Sequence, residues 1–201
     1  MIIFVAIIMA RTKNFDETAV LDKAVDIFRR QGFKGTSPEE LVTHLGISRS
    51  SLYNAYGDKR GLFIKSLVRY QELTTKALND IADGAVDAFQ GIRDIFDMTV
   101  HNLFEDKMPK GCFLVNSIVE FGADDTETVD IVKKSMDTNR ETMFGLVKRG
   151  QENGQLNNKL SADTLADYLV NCLSGISVSA KAGIDKAACK VIVEHSLNIL
   201  K

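Results

Sequence analysis

Tryptophan is absent and proline occurs only twice in 201 residues, so neither a proline-rich linker protein nor a collagen-like chain is encoded. The three cysteines, Cys112, Cys172 and Cys189, are odd in number, widely spaced and free of any C-x-x-C pair. That excludes a disulfide framework and a zinc knuckle, and it favours a reducing cytoplasm. No G-x-S-x-G elbow, H-E-x-x-H pair, P-loop or G-x-G-x-x-G stretch is present, which removes the usual enzyme signatures. His44, His101 and His195 are scattered without metal-ligand spacing, so no metal and no cofactor is expected. The apolar run Met1 to Ile8 is far shorter than the roughly 20 residues of a membrane span. It also lacks the leading positive charge and the small-residue cleavage site of a secretory signal, and no membrane partner is expected. Residues 1–9 read instead as an apolar extension ahead of a start at Met9.

What is there suits a packed core: 45% of residues are hydrophobic and 26% charged. The net charge of −2 conceals an asymmetry. Residues 10–60 carry nine Lys/Arg against seven Asp/Glu, whereas residues 61–201 carry sixteen against twenty, so any basic footprint is N-terminal.

Apolar residues recur at helical spacing along nearly the whole chain. Leu21, Ala24, Val25 and Phe28 share one face of a first helix opened by Asn14 to Glu17 and ended by Gly32. Ser37-Pro38-Glu39-Glu40 has the residues of a capping box with Pro at the first helical position, predicting a second helix to about Leu45. Gly46 breaks it, Ser48 caps a third helix over Arg49 to Tyr56, and Asp58 caps a fourth from Lys59 to about Ile81. Two short helices around a Gly-containing turn, packed on a first, form a helix-turn-helix. The third helix then presents Arg49, Ser50, Ser51, Tyr53 and Asn54 outward. Arg can bond guanine bidentately, Asn can do so with adenine, and hydroxyls reach phosphate or base edges. A helical packing module with a polar face has the same composition, and that alternative stays open on these residues alone.

The ordered pattern Ala19 to Ala24, Phe28-Arg29-Arg30-Gln31-Gly32-Phe33, Thr36-Ser37, and Leu45 to Lys59 resembles the DNA-binding domain of TetR-type transcriptional regulators, over about fifty residues without a gap. The resemblance implies that Thr36 and Ser37 meet phosphate, that Arg49, Ser50, Ser51 and Asn54 approach base edges, and that Tyr53 and Lys59 hold the DNA backbone. Asn54 and Ala55 depart from the family's common residues and leave the base preference open. The implied fold is all-α with about nine helices: a three-helix DNA-binding domain over residues 10–60, then a helical effector-binding and dimerisation domain over residues 61–201.

Amphipathic helices are predicted over about Val86 to Glu105, Cys112 to Phe121, Thr126 to Asn153, Ala162 to Ala182 and Lys186 to Leu200. The last two mix apolar residues with Ser174, Gly175, Ser177, Ser179 and Ala180, a texture suited to a four-helix interface with a second copy; similar regulators dimerise through this pair. Phe89, Phe96, Phe113, Met136, Met143, Phe144 and Cys172 are candidates to line an apolar effector cavity, with Asn116, Glu120, Asn139 or Arg140 at a polar end. Ordinary core packing is the better account of each one singly. Cys112, at a helix start beside Lys110, is an alternative thiol sensor, since such a position lowers a thiol pKa in principle.

The expectation is a DNA-binding regulator, a repressor by resemblance. A small molecule shifts helices five to seven, pulls helix four, and releases a palindromic double-stranded operator. A helical interaction protein without DNA binding is the remaining alternative.

Overall fold

The computed structural model describes residues 15–106 and 108–201. The apolar extension read over residues 1–9, and Asn14 as a helix opener, lie outside them. Nine α-helices are formed among the described residues: α1 (Glu17–Gln31), α2 (Pro38–Leu45), α3 (Arg49–Tyr56), α4 (Lys59–Gly84), α5 (Ala88–Leu103), α6 (Phe113–Phe121), α7 (Thr126–Glu152), α8 (Ala162–Lys181) and α9 (Lys186–Leu197), with a closing 3-10 turn over Asn198–Leu200.

The caps explain the boundaries. Asp16 caps α1, accepting from Thr18 N at 2.9 Å and Ala19 N at 3.2 Å. The capping box of α2 is complete: Glu40 N donates to Ser37 Oγ, and Ser37 N donates to Glu40 Oε2 at 2.7 Å. Gly46 ends α2 at φ +69°, a left-handed conformation that a Cβ would strain. Helix α4 runs a turn beyond the expected Ile81. Leu78 and Ala82 remain buried, and the Arg149 guanidinium takes the carbonyls of Ala82 and Ala85 at its C-terminal end. Helix α5 starts at Ala88 rather than Val86 because Asp87 supplies the cap, to Gln90 N, while Val86 is exposed.

Two cores result. One joins α1, α2, α3 and the first half of α4, through Val20, Phe28, Leu41, Leu52, Phe63 and Leu67, to Phe113 and Leu114 of α6 and Val132 of α7. The other packs the second half of α4 with α5, α7, α8 and α9 around Ile92, Phe96, Met143, Leu169 and Leu197. At the α5–α7 crossing a Cβ on Gly150 would lie 2.7 Å from Ala88 Cβ, so glycine sets that approach.

Beside the first core, Asp26 meets Lys110, Arg30 (3.2 Å) and His44 (3.6 Å). Burial alone would raise its carboxyl pKa, but Lys110 and then Arg30 outweigh that and hold it below the usual value. A depressed folded-state pKa contributes stability above the unfolded value, near 3.8, that is lost as pH falls through the folded one. The Asp26→Asn variant is therefore expected to melt below the wild type at neutral pH. The two melting temperatures should converge in acid, and a constant gap across a pH series of thermal melts would remove the assignment.

Candidate nucleic-acid interface and the cavity behind it

Leu52 and Tyr56 anchor α3 in the first core, leaving Arg49, Ser50, Tyr53 and Asn54 exposed and Ser51 half-buried. Burial, and secondarily Glu17, raises the Tyr56 phenol to about 12, so it stays neutral. Ser48 Oγ accepts from Ser51 N at 3.0 Å and lies 2.9 Å from both the Ser50 and Ser51 hydroxyls, a compact polar cluster at the start of the helix.

Arg49 Nη1 donates to Glu39 Oε1 at 3.0 Å, and its guanidinium lies 5.7 Å from the Tyr53 ring. Because the Arg49 and Glu39 side chains are 61% and 70% exposed, this pair is a weak surface contact that a phosphate or a base edge can replace. The guanidinium stays within reach of solvent despite the pair. The Lys59 ammonium sits 4.2 Å from the centre of the Phe33 ring and is half-buried there.

One expected phosphate contact is corrected. Thr36 is buried, and its hydroxyl donates to Gly32 O at 2.6 Å, so it pins the turn between α1 and α2 instead of facing outward. Ser37 is half-buried with its hydroxyl at the helix start. Lys34, which the sequence reading passed over, is exposed beside this turn.

The same turn is tied to the body. The Glu120 carboxylate, from the end of α6, accepts from Phe33 N at 2.8 Å and Lys34 N at 2.6 Å. On the other end of α6, Arg29 Nε and Nη2 donate to Gly111 O at 3.2 and 2.9 Å, and Asn116 Nδ2 donates to Lys110 O. The helix is thus attached to α1 and to the α1–α2 turn at both of its ends.

Behind α6 lies a cavity of about 240 Å³ bordered by α1, α4, α5, α6, α7 and α8. Leu78, Met98, Leu103, Val115, Ile118 and Leu173 make its surface largely apolar, and Arg29, Tyr70, Thr74, Asn102 and Ser174 add polar groups. Of the expected lining residues, Met136 and Asn139 border it, and Asn139 Oδ1 is buried there without a partner among the described residues; Cys112, expected only as a thiol sensor, borders it too.

The other expected lining residues are used elsewhere. Phe96 and Met143 are fully buried in the second core, with Phe144 and Cys172 packed at its edge. Phe89 lies under the Arg93 and Lys201 cations, and Phe113 stacks on Phe28 and meets Phe63 edge-on in the first core. Asn116 and Glu120 brace the attachment just described, and Arg140 spans Asp163 and Asp167 on the surface at 2.8 and 2.6 Å. Helical periodicity finds buried faces, but not which buried side chains border empty space.

Among the described residues no cluster of three His, Cys, Asp or Glu side chains is arranged to hold a metal ion. None of the helices among the described residues is long and apolar enough to cross a membrane.

A three-helix head with an exposed polar third helix, joined to a helical body that borders a cavity, defines a helix-turn-helix DNA-binding protein with an attached helical domain. Residues 20–65 match the family model of bacterial regulatory proteins of the tetR family, and residues 88–196 match the tetracyclin repressor-like C-terminal domain. The chain belongs to the TetR family and is a DNA-binding transcriptional regulator rather than an enzyme.

It is 31% identical to the HTH-type transcriptional regulator YezE of Bacillus subtilis over 193 residues, which cover 96% of this chain and all of that one. It is 28% identical to the transcriptional repressor ComR of Escherichia coli over 86% of this chain and 83% of ComR. A solved structure of the TetR-family regulator CifR, a cysteine mutant complexed with 26-bp double-strand operator DNA, superposes with a TM-score of 0.82 at 27% identity, covering 94% of this chain and 98% of that one.

Proposed function

We propose that the protein is a homodimeric cytoplasmic repressor that holds a palindromic operator and releases it when a small molecule enters the cavity. In this reading residues 10–60 bind DNA, and residues 61–201 bind the effector and form the dimer. The supporting observation is the position of α6: its residues border the cavity, while its Glu120 holds the backbone of the head. The middle of α4 borders the cavity as well, through Tyr70, Thr74 and Leu78. An occupant that displaces α6 or α4 changes the separation of two reading heads, and a differential affinity of a few kcal/mol for the released spacing suffices.

Two recognition helices related by a twofold axis read half-sites about 34–36 Å apart. The relative CifR is bound to a 26-bp operator, a length that accommodates such a pair. Fragments selected from random DNA should share a palindrome, and a mobility assay with candidate small molecules tests release. Selection of unrelated sequences would end the proposal.

Arg49→Ala is expected to cost roughly 1 to 3 kcal/mol and relax preference at one base position, while Lys59→Ala weakens all sequences alike and flattens the salt dependence. Equal losses for both variants on specific and random DNA, across a salt series, would contradict that division. Glu120→Gln should keep operator binding within a few-fold but blunt effector release, because the attachment of α6 to the α1–α2 turn is weakened. Titration of the operator complex with effector reads that directly.

A second reading has one observation in its favour: Cys112 is half-buried, stands at the residue just before α6 and borders the cavity beside Tyr70. A thiol sensor would become modified at Cys112 on mild electrophile treatment, with loss of operator binding. Mass spectrometry alongside the mobility assay separates that outcome from noncovalent release.

A further inference from the structure

We propose that the cavity selects an amphipathic monocarboxylate of about ten non-hydrogen atoms, its carboxylate seated on Arg29. This rests on the cavity being the effector site, and it names the chemistry of the occupant. Nε and Nη2 of Arg29 are spent on a single acceptor, Gly111 O, while Nη1 has no hydrogen-bond partner among the described residues. Nor does any carboxylate of those residues lie within ion-pair distance of this guanidinium. Asp26, on the same helix, is taken by Lys110, Arg30 and His44, and Glu120 is taken by the backbone of Phe33 and Lys34.

The surroundings add positive charge. Lys181 Nζ stands 3.5 Å from Arg29 O. Burial first, and then Arg29, pulls the Lys181 pKa down against the opposing effect of Glu120. The Tyr70 ring lies 5.2 Å from the Arg29 guanidinium carbon and fixes its plane. Burial also keeps the Tyr70 phenol neutral, so it supplies no counter-charge. A cation held in place at an apolar cavity, short of an anion and with its Nη1 amino group unspent, is suited to a charge-assisted bond to a carboxylate.

Size sets the rest of the ligand. A cavity of about 150 Å³ holds benzene, so 240 Å³ accommodates one ring or a short alkyl chain together with its head group. Since Arg29 belongs to α1, such a head group would touch the DNA-binding domain itself.

The test is calorimetric titration of the full-length protein with cinnamate and octanoate against cinnamamide and octanamide at neutral pH. The acids are expected to bind at least about tenfold more tightly than the amides and to release the operator at correspondingly lower concentration. In Arg29→Gln the difference should collapse, while Arg29→Lys retains part of it. Because Arg29→Gln also loses the hold on Gly111, its melting is recorded in parallel; the acid-to-amide ratio of the wild type needs no variant. Equal affinity for acid and amide in the wild type would overturn the carboxylate while leaving the cavity as an effector site. Absence of binding by all four probes, with operator binding intact, would overturn the proposal and tell against the cavity as the effector site, but not against DNA recognition.

Discussion

Val191→Asp is expected to convert the protein to a monomer and weaken operator binding at least about a hundredfold, the low end of what is lost when two linked contacts become one. Helices α8 and α9 and the turn between them present Tyr168, Val178, Ile184, Val191 and Ile192 to solvent, with Val178 and Val191 at 51% and 55% exposure, while Leu169, Ile176, Val193 and Leu197 on the inner sides of the helices fill the second core. Positions 168, 171, 175 and 178 of α8 form one exposed stripe at helical spacing, and no atom lies near a Cβ built on Gly175. In a twofold pair one substitution places two carboxylates in the same apolar seam, where desolvation and like charge oppose association. Sedimentation velocity reads the mass and a mobility assay the affinity. Val86→Asp, at a 95% exposed valine outside this face, serves as the control and should change neither. A dimeric Val191→Asp protein with wild-type affinity would move the interface elsewhere.

Phe63→Ala should lower stability by about 3 to 5 kcal/mol, the largest loss expected from a single core position. Phe63 is fully buried with its ring 5.2 Å from Phe28, 5.3 Å from Phe33, 5.3 Å from Phe113 and 5.1 Å from Phe121. Several of these contacts are edge-on, a geometry that adds to simple burial. The partners come from α1, the α1–α2 turn and α6, so truncation opens a void where the head meets the body. For a chain of this size the melting temperature should fall by about 6 to 20 °C. Phe89→Ala, at a half-buried ring, should cost clearly less. Denaturant titration followed by circular dichroism measures both, and a loss below about 1 kcal/mol at Phe63 would mean that the cluster is less tightly packed than its geometry implies.

Much of the head was legible because its signals are local. The Ser37/Glu40 box, Gly46, the Ser48 and Asp58 caps and the outward side of α3 each depend on residues within a few positions of one another. The cavity was far less legible. Arg29 reads in sequence only as part of the Phe28 to Phe33 pattern, yet it bonds Gly111, 82 positions away. Glu120 and Asn116 look like polar groups for a ligand, and the fold uses them as braces because the C-terminal end of α1 and the turn after it come to rest beside α6. Periodicity correctly put Phe96, Phe113 and Met143 inside. Whether a buried side chain meets a neighbour or a void is decided by six helices remote in sequence, and no spacing rule carries that information.

Helix α4 is one unbroken rod anchored in both cores, which makes it a mechanical lever with its load at the DNA. From Leu78, at the cavity, to Lys59 it spans about 28 Å. A tilt of about 5° there swings the near end of the head by about 2.5 Å, or about 5 Å summed over a twofold pair, against a helical repeat of about 34 Å between half-sites. That exceeds the rise of one base-pair step. In the proposed dimer, a ligand no larger than one ring and its head group would therefore throw two reading heads out of phase with the groove without any helix unfolding.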